Sequence, residues 1–278
     1  MIDRPGDVGA YYKWLRDTHG LPSRNRVLSQ YEAVAGRLHT HFTALPFWSS
    51  LDKTLNDIHA AYTVKTGYPL LTTVVAPQLV SKPFDSFLEK TYRKNVVDNR
   101  QWDQEPGGGW LLPDGWFSQV RDIVRTTIVV KYLDGVGFLA EAFAAAAQSS
   151  GITARVDYEA SDAGYYAAHI DLEDDVSVPT ITFDPITIRG HLEVQVTTQV
   201  KDLIKRLLHQ HYEAARVQSS QNSLGPPWQW NYRTTEFVAN YLGHVLHYVE
   251  GMIVEVRDRQ TTENSAKPHH KEGHDVAR

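Results

Sequence analysis

Leu192-Glu193-Val194-Gln195-Val196-Thr197-Thr198 alternates apolar and polar side chains, and a run of helical character follows, ending His209-Gln210-His211-Tyr212-Glu213-Ala214-Ala215-Arg216. Strand side chains repeat with period two, so Glu193 and Gln195 share one face. A carboxylate at the start of a valine-rich stretch is poorly explained by packing, which makes Glu193 a candidate for chemistry. Outward from it, β-branched stretches at 122–130, 153–158, 167–172 and 180–183 predict further strands. An alanine-rich segment at 137–148 predicts one helix among them. Val27, Tyr31, Val34 and Leu38, then Leu55, Ile58 and Tyr62 beyond a break at Pro46, predict two or three N-terminal helices. Residues 235–257 predict a long amphipathic helix with Phe237, Tyr241, Val245, Tyr248 and Met252 on one stripe. The fold class is therefore α+β, a mixed β-sheet flanked by N-terminal and C-terminal helices.

The 278 residues suit a single domain overall: a helical layer over 1–74, a core over 75–218 and a C-terminal helix over 228–258 packed on that core. The polar segment 261–278 lacks periodicity and reads as a disordered tail. Connectors at 104–114, which holds Gly107-Gly108-Gly109, and at 218–227 read as mobile. No cysteine is present, so disulfides, thiolate metal sites and a cysteine nucleophile are excluded. A net charge of −5 argues against broad, non-specific nucleic-acid binding while leaving room for a local basic groove. No apolar run is long enough to span a bilayer, and Met1 to Gly6 has no apolar core of the secretory kind, so the expected location is cytoplasmic, with no membrane partner.

Ser86, Lys90 and Arg93 lie at successive i+4 and i+3 steps, so a helix over 84–95 would present them on one face to a triphosphate. The bland alternative is a solvated face, salt-bridged through Asp85, Glu89 and Asp98. Asp122 resembles Glu193 in setting: a carboxylate opening a β-branched stretch, which the alternative reading pairs with Arg121 or Lys131. Gly164-Tyr165-Tyr166-Ala167-Ala168-His169 has an ordinary packing reading when taken alone. His209, His211, His269, His270 and His274 lack zinc-like spacing and read as solvated.

Taken in order, Ser81-Lys82, Ser86, Lys90 and Arg93, then Arg121-Asp122, Gly164-Tyr165 with His169, and Glu193-Val194-Gln195 resemble the synthetase domain of the RelA/SpoT alarmone enzymes over residues 75–218. The resemblance implies a nucleotidyltransferase-like core that moves pyrophosphate from ATP onto a ribose hydroxyl. It implies ATP contacts from Lys82, Ser86, Lys90 and Arg93, and Mg²⁺ held by Asp122 and Glu193. Glu193 would share the metal or take the hydroxyl proton, and Tyr165 with His169 would receive the acceptor base. The family's adenine-stacking arginine is Val80 here, and its arginine five residues after the aspartate is Thr127, while Arg125 has the same strand parity. The family's hydrolase domain has no counterpart; His274-Asp275 lies in the polar tail. The donor-helix pattern Ser81-Lys82, Ser86, Lys90, Arg93-Lys94-Asn95 and the segment 228–257 resemble the toxic single-domain branch. Within that branch, the expected acceptor is the tRNA CCA end, with GDP or GTP as the alternative and an inactive nucleotide-sensing module as a third reading. Lys94, Arg100, Lys201, Lys205 and Arg206 would form the tRNA groove, and a separate small antitoxin protein would be the partner.

Overall fold

A computed structural model describes residues 3–207 and 227–266, with side chains described to residue 261. The N-terminal layer has four helices: α1 (Val8–His19), α2 (Arg24–Ala44), α3 (Pro46–Ser49) and α4 (Leu51–Thr66). Sequence periodicity missed α1, although its punctuation is present. Asp7 caps it by accepting from the Ala10 amide, and Gly20 closes it in the left-handed region at φ 67°. Pro46 stands in the first turn of α3, where its missing N–H costs nothing. Tyr11, Leu15, Val34, Leu38, Phe42, Leu51, Leu55 and Tyr62 are all buried in one core that continues into the sheet.

The sheet has the order β1-β2-β5-β4-β3, with β1 (Val80–Ser81), β2 (Val124–Val130), β3 (Thr153–Ala160), β4 (Tyr166–Pro179) and β5 (Pro185–Thr198). Only β2 and β5 run parallel, so the sheet is mixed and the α+β expectation holds. The predicted strand at 180–183 is instead the tight turn joining two 14-residue strands. Thr180 bonds Asp184 across it and Phe183 adopts φ 66°. A β-branched composition there was misleading because the turn is stabilised by hydroxyls: the Thr180 Oγ1 accepts from the Asp184 amide.

After β1 come α5 (Phe84–Tyr92) and a π-helical turn (Arg93–Val97) in place of one helix over 84–95. The loop 98–115 that follows is tied down. Trp14, Trp102 and Trp110 pack with ring centroids 5.1–5.8 Å apart, and buried Asn95 both accepts from the Leu111 amide and donates to its carbonyl. After α6 (Trp116–Gln119) and β2 comes α7 (Leu133–Ser149), four residues longer at its start than the alanine run suggested. Residues 199–207 are helical (α8), and the predicted features at 208–226, including His209 and His211, lie outside the described residues.

The C-terminal helix α9 (Thr235–Ala266) extends past 257, so residues 261–266 are helical and not part of a structureless tail. Its predicted stripe is divided: Tyr241, Tyr248 and Met252 are each more than half exposed, while Phe237 and Val245 are half-buried. Ala239, Asn240, Glu250 and Arg257 are buried instead. Arg257 explains the choice. Its guanidinium donates to Asp134 and to the Tyr62 hydroxyl and lies between the Tyr68 and Tyr132 rings at 5.2 and 5.0 Å. Residues 267–278, with His269, His270 and His274, lie outside the described residues. Among the described residues no helix is long and apolar enough to cross a membrane.

Candidate active site

The register of the sheet decides which side chains meet. Arg125 pairs with Glu193, Glu193 with Asp171, Gln195 with His169, and His169 with Asp157. Paired residues share a face, so β2 to β3 present one polar surface, while Leu192, Val194, Val196, Ala168 and Ile170 are wholly buried on the other. Thr127 lies opposite Gln195 on the same face.

Asp122 is not on a strand but in the turn just before β2. Lys82 follows β1, its amide bonded to the Ile123 carbonyl, and its ammonium donates to Asp122 at 2.8 Å. Lys90, projecting from α5, donates to the other carboxylate oxygen at 2.6 Å, and Arg125 stands 3.9 Å away. Burial resists ionisation of Asp122, but Lys90 and then Lys82 outweigh it and hold the carboxyl far below its usual range. Burial also draws the Lys82 ammonium down, against the pull of Asp122. Two lysines on one buried aspartate are a charge cluster with one cation in excess, suited to receive phosphate oxygens.

Glu193 accepts from the Gln195 amide at 2.6 Å and faces His169 Nδ1 at 3.5 Å. Burial raises its pKa, yet His169 and Gln195 prevail and the net direction is down; the charge of Asp122 is felt from nearby. His169 moves up, first through its bond to Glu193, against burial. Its Nε2 lies 3.4 Å from Glu159 and 3.1 Å from the Tyr165 hydroxyl. Gly164 takes φ 73°, and a Cβ there would sit 2.4 Å from the Asn240 carbonyl, so the glycine before Tyr165 is required twice over.

One continuous site thus collects Lys82, Lys90, Asp122, Arg125, Glu193, Gln195, His169 and Tyr165, and Lys205 joins it by donating to Gln195 at 3.2 Å. Ser86 and Arg93 are half-buried on the donor segment. Lys94 and Arg100 are exposed beyond it, and Arg206 is exposed and paired with Asp202. Lys201 is drawn away: its ammonium is buried against Glu250 of α9 at 3.3 Å, so it does not belong to an open basic groove. Val80, in the place of an arginine, is exposed at the sheet edge.

Sequence reasoning missed the acidic side of the site. A cavity of about 310 Å³ is lined by Arg121, Asp157, Tyr158, Glu159, His169, Asp171 and Glu193. The signal was the period-two series His169, Asp171, Glu173 on β4. Arg121 does not pair with Asp122; it bridges Asp157 at 3.5 Å and Asp171 at 3.3 Å.

Hard carboxylate oxygens suit Mg²⁺, and Asp122 and Glu193 fit it by chemistry, since both are held below the usual carboxylate range and so are ionised at neutral pH. Asp171, Glu173 and His191 also cluster with ligand atoms within 4.8 Å of one another. That cluster is already balanced by Arg121 on Asp171 and by Arg155 and Arg189 on Glu173.

Neither protein-family models nor curated proteins give a match to this chain. Solved structures similar to it include the small alarmone synthetase 1 from Bacillus subtilis, with 14% identity over 80% of this chain and 97% of that one and a TM-score of 0.46. A GTP pyrophosphokinase family protein from Streptococcus pneumoniae has 16% identity over 88% and 98%, with a TM-score of 0.46. The Bacillus subtilis enzyme bound to its product pppGpp gives 15% identity over 87% and 97%, with a TM-score of 0.45.

Proposed function

We propose that the chain is an ATP-dependent pyrophosphotransferase. The observation that carries this reading is the convergence of Lys82 and Lys90 on buried Asp122, on the same side of the sheet as the Glu193, Gln195, His169 and Tyr165 group. In the reaction, a ribose hydroxyl oxygen attacks the β-phosphorus of ATP, the bond from the α,β-bridging oxygen to that phosphorus breaks, and AMP leaves. Glu193, kept anionic by His169 and Gln195, accepts the hydroxyl proton. Lys82, Lys90 and Arg93 bind the triphosphate, with Ser86 on the same segment, and Arg125 neutralises charge between donor and acceptor. Mg²⁺, when held by Asp122 and Glu193, supplies charge neutralisation of the phosphate oxygens. Tyr165 offers a π face to the acceptor base, with His169 fixing its hydroxyl.

The acceptor cavity favours one of two acceptors. Four carboxylates line it against one guanidinium that two of them already share. A diphosphate or triphosphate entering beside them is repelled, whereas a tRNA 3′ adenosine brings a single phosphodiester. This charge balance supports the tRNA CCA end as acceptor, in a translation-stopping toxin restrained by a separate small antitoxin; GDP or GTP as acceptor is the second reading. Incubation with γ-labelled ATP and, separately, deacylated tRNA, GDP and GTP tests both. Label on tRNA is expected, label only on GDP or GTP gives the alarmone reading, and label on none of them overturns the transferase. Charge reversal at Lys94 and Arg100 should reduce labelling of tRNA with ATP affinity unchanged.

A further inference from the structure

Tyr165 directly precedes Tyr166, the first residue of β4, so whatever fixes Tyr166 also bears on the aim of Tyr165. Tyr166 is fixed by α9. Its ring stacks on His247 at 3.8 Å between centroids and 6° between planes. The Lys201 ammonium lies 5.4 Å over the same ring and 3.1 Å from His247 Nδ1. Lys201 is in turn held by Glu250, whose buried carboxylate lies 3.3 Å from its ammonium.

A second tie reaches the turn before Tyr165. His244 Nε2 lies 3.0 Å from the Asp162 carbonyl, which can only accept, so this nitrogen carries the proton. In the neutral ring Nδ1 then accepts from the Tyr166 hydroxyl, at 2.8 Å. The third tie is backbone on backbone: a Cβ on Gly243 would lie 2.3 Å from the Gly164 carbonyl oxygen. The turn itself closes by Gly164 to Ser161 and Ser161 to Tyr165 bonds, so it moves as a unit.

We infer that α9 is the positioning element of the acceptor site: Gly243, His244 and His247 set the aim of Tyr165 through the 161–165 turn and Tyr166, without touching substrate themselves. The substrate half of this inference rests on the function proposed above; the structural half does not. A helix with large exposed side chains on its outer face, anchored at one end by Arg257 and at the other by this turn, gives the site a lever that ATP binding does not use.

The test uses the full chain and two readouts. In Gly243→Ala, hydrogen exchange at the amides of residues 161–166 should accelerate at least about tenfold while 168–172 stay protected. The acceptor KM should rise about tenfold with the ATP KM changed by less than about twofold. Tyr166→Phe, which keeps the stack on His247 and loses the hydroxyl's contacts with His244 and Tyr248 on α9, should shift both readouts in the same direction by less, and it carries the test if Gly243→Ala fails to fold. Unchanged exchange at 161–166 overturns the inference whatever the activity. An equal rise in both KM values overturns it as well, showing a general loss of structure. Absence of transfer in the unmodified protein would instead sink the proposed function, and the exchange readout would still decide the lever.

Discussion

Asp122 and Glu193 differ at the residue scale in a way their sequence settings conceal. Asp122 is gripped by two ammonium groups that are themselves mostly buried. Removing its charge leaves them facing each other, so Asp122→Asn should destabilise the protein by about 3–5 kcal/mol as well as abolish transfer. Glu193→Gln keeps shape and leaves only His169 short of a partner. It should abolish transfer with only a modest drop in thermal midpoint, equal to the share held by the Glu193–His169 pair, and near-parental turnover would remove Glu193 from the chemistry. The Glu193–His169 pair also predicts a pH dependence. The His169 pKa is raised, so its contribution is full below the ordinary imidazole pKa and fades as pH rises through the raised value. The Glu193 pKa is lowered, so the same pair is lost at the acid end as pH falls through that value. Between these limits, the stability gap between the parent and His169→Gln should be at its widest, narrowing toward either side. A gap that stays constant across denaturation curves at several pH values would show that the pair is not coupled to folding.

Among the elements, α5 and the turn after it are tied to the following loop by a residue that sequence reading used only as part of a pattern. Asn95, in the π-helical turn, is buried and donates to the Tyr11 hydroxyl and the Leu111 carbonyl while accepting from the Leu111 amide. The glycine triplet at 107–109 marks a bend, but the backbone bonds to Asn95 and the Trp14, Trp102 and Trp110 cluster decide where the loop lies. Asn95→Ala should strand these polar groups at a cost of about 1–3 kcal/mol. Its loop should then be cut by trypsin after exposed Arg100 faster than in the parent. Equal cleavage would mean the tryptophans suffice. The same contrast applies to β4 and β5. Alternation marked their inner parts, but their length comes from pairing with each other from Ala168–Val196 out to Pro179–Pro185, a non-local choice.

Across the whole molecule, α9 ties the first helical layer to the sheet. Arg257 spans from α9 to Tyr62 of α4 and Asp134 of α7, and Lys201–Glu250 joins it to the segment after β5. Arg257→Ala should cost about 1–3 kcal/mol by removing the guanidinium from Asp134, which among the described residues keeps only the Tyr62 hydroxyl as a donor, and should expose 235–266 to proteases before the sheet is cut. Simultaneous loss of sheet and helix would show a single cooperative unit. By itself the sequence determined the α+β class, the polar face carrying Glu193 and Gln195, and a helix bearing Lys90, because period and parity are local properties. Tertiary structure alone decided that Asp122 sits before its strand between Lys82 and Lys90, that Asp157, Glu159 and Asp171 make the cavity beside His169 acidic, that Lys201 turns inward, and that Tyr241, Tyr248 and Met252 of α9 face out. Each of these depends on which strands pair and which buried charges find partners across tens of residues, and the energy of such a pairing resides in neither partner's own stretch of chain.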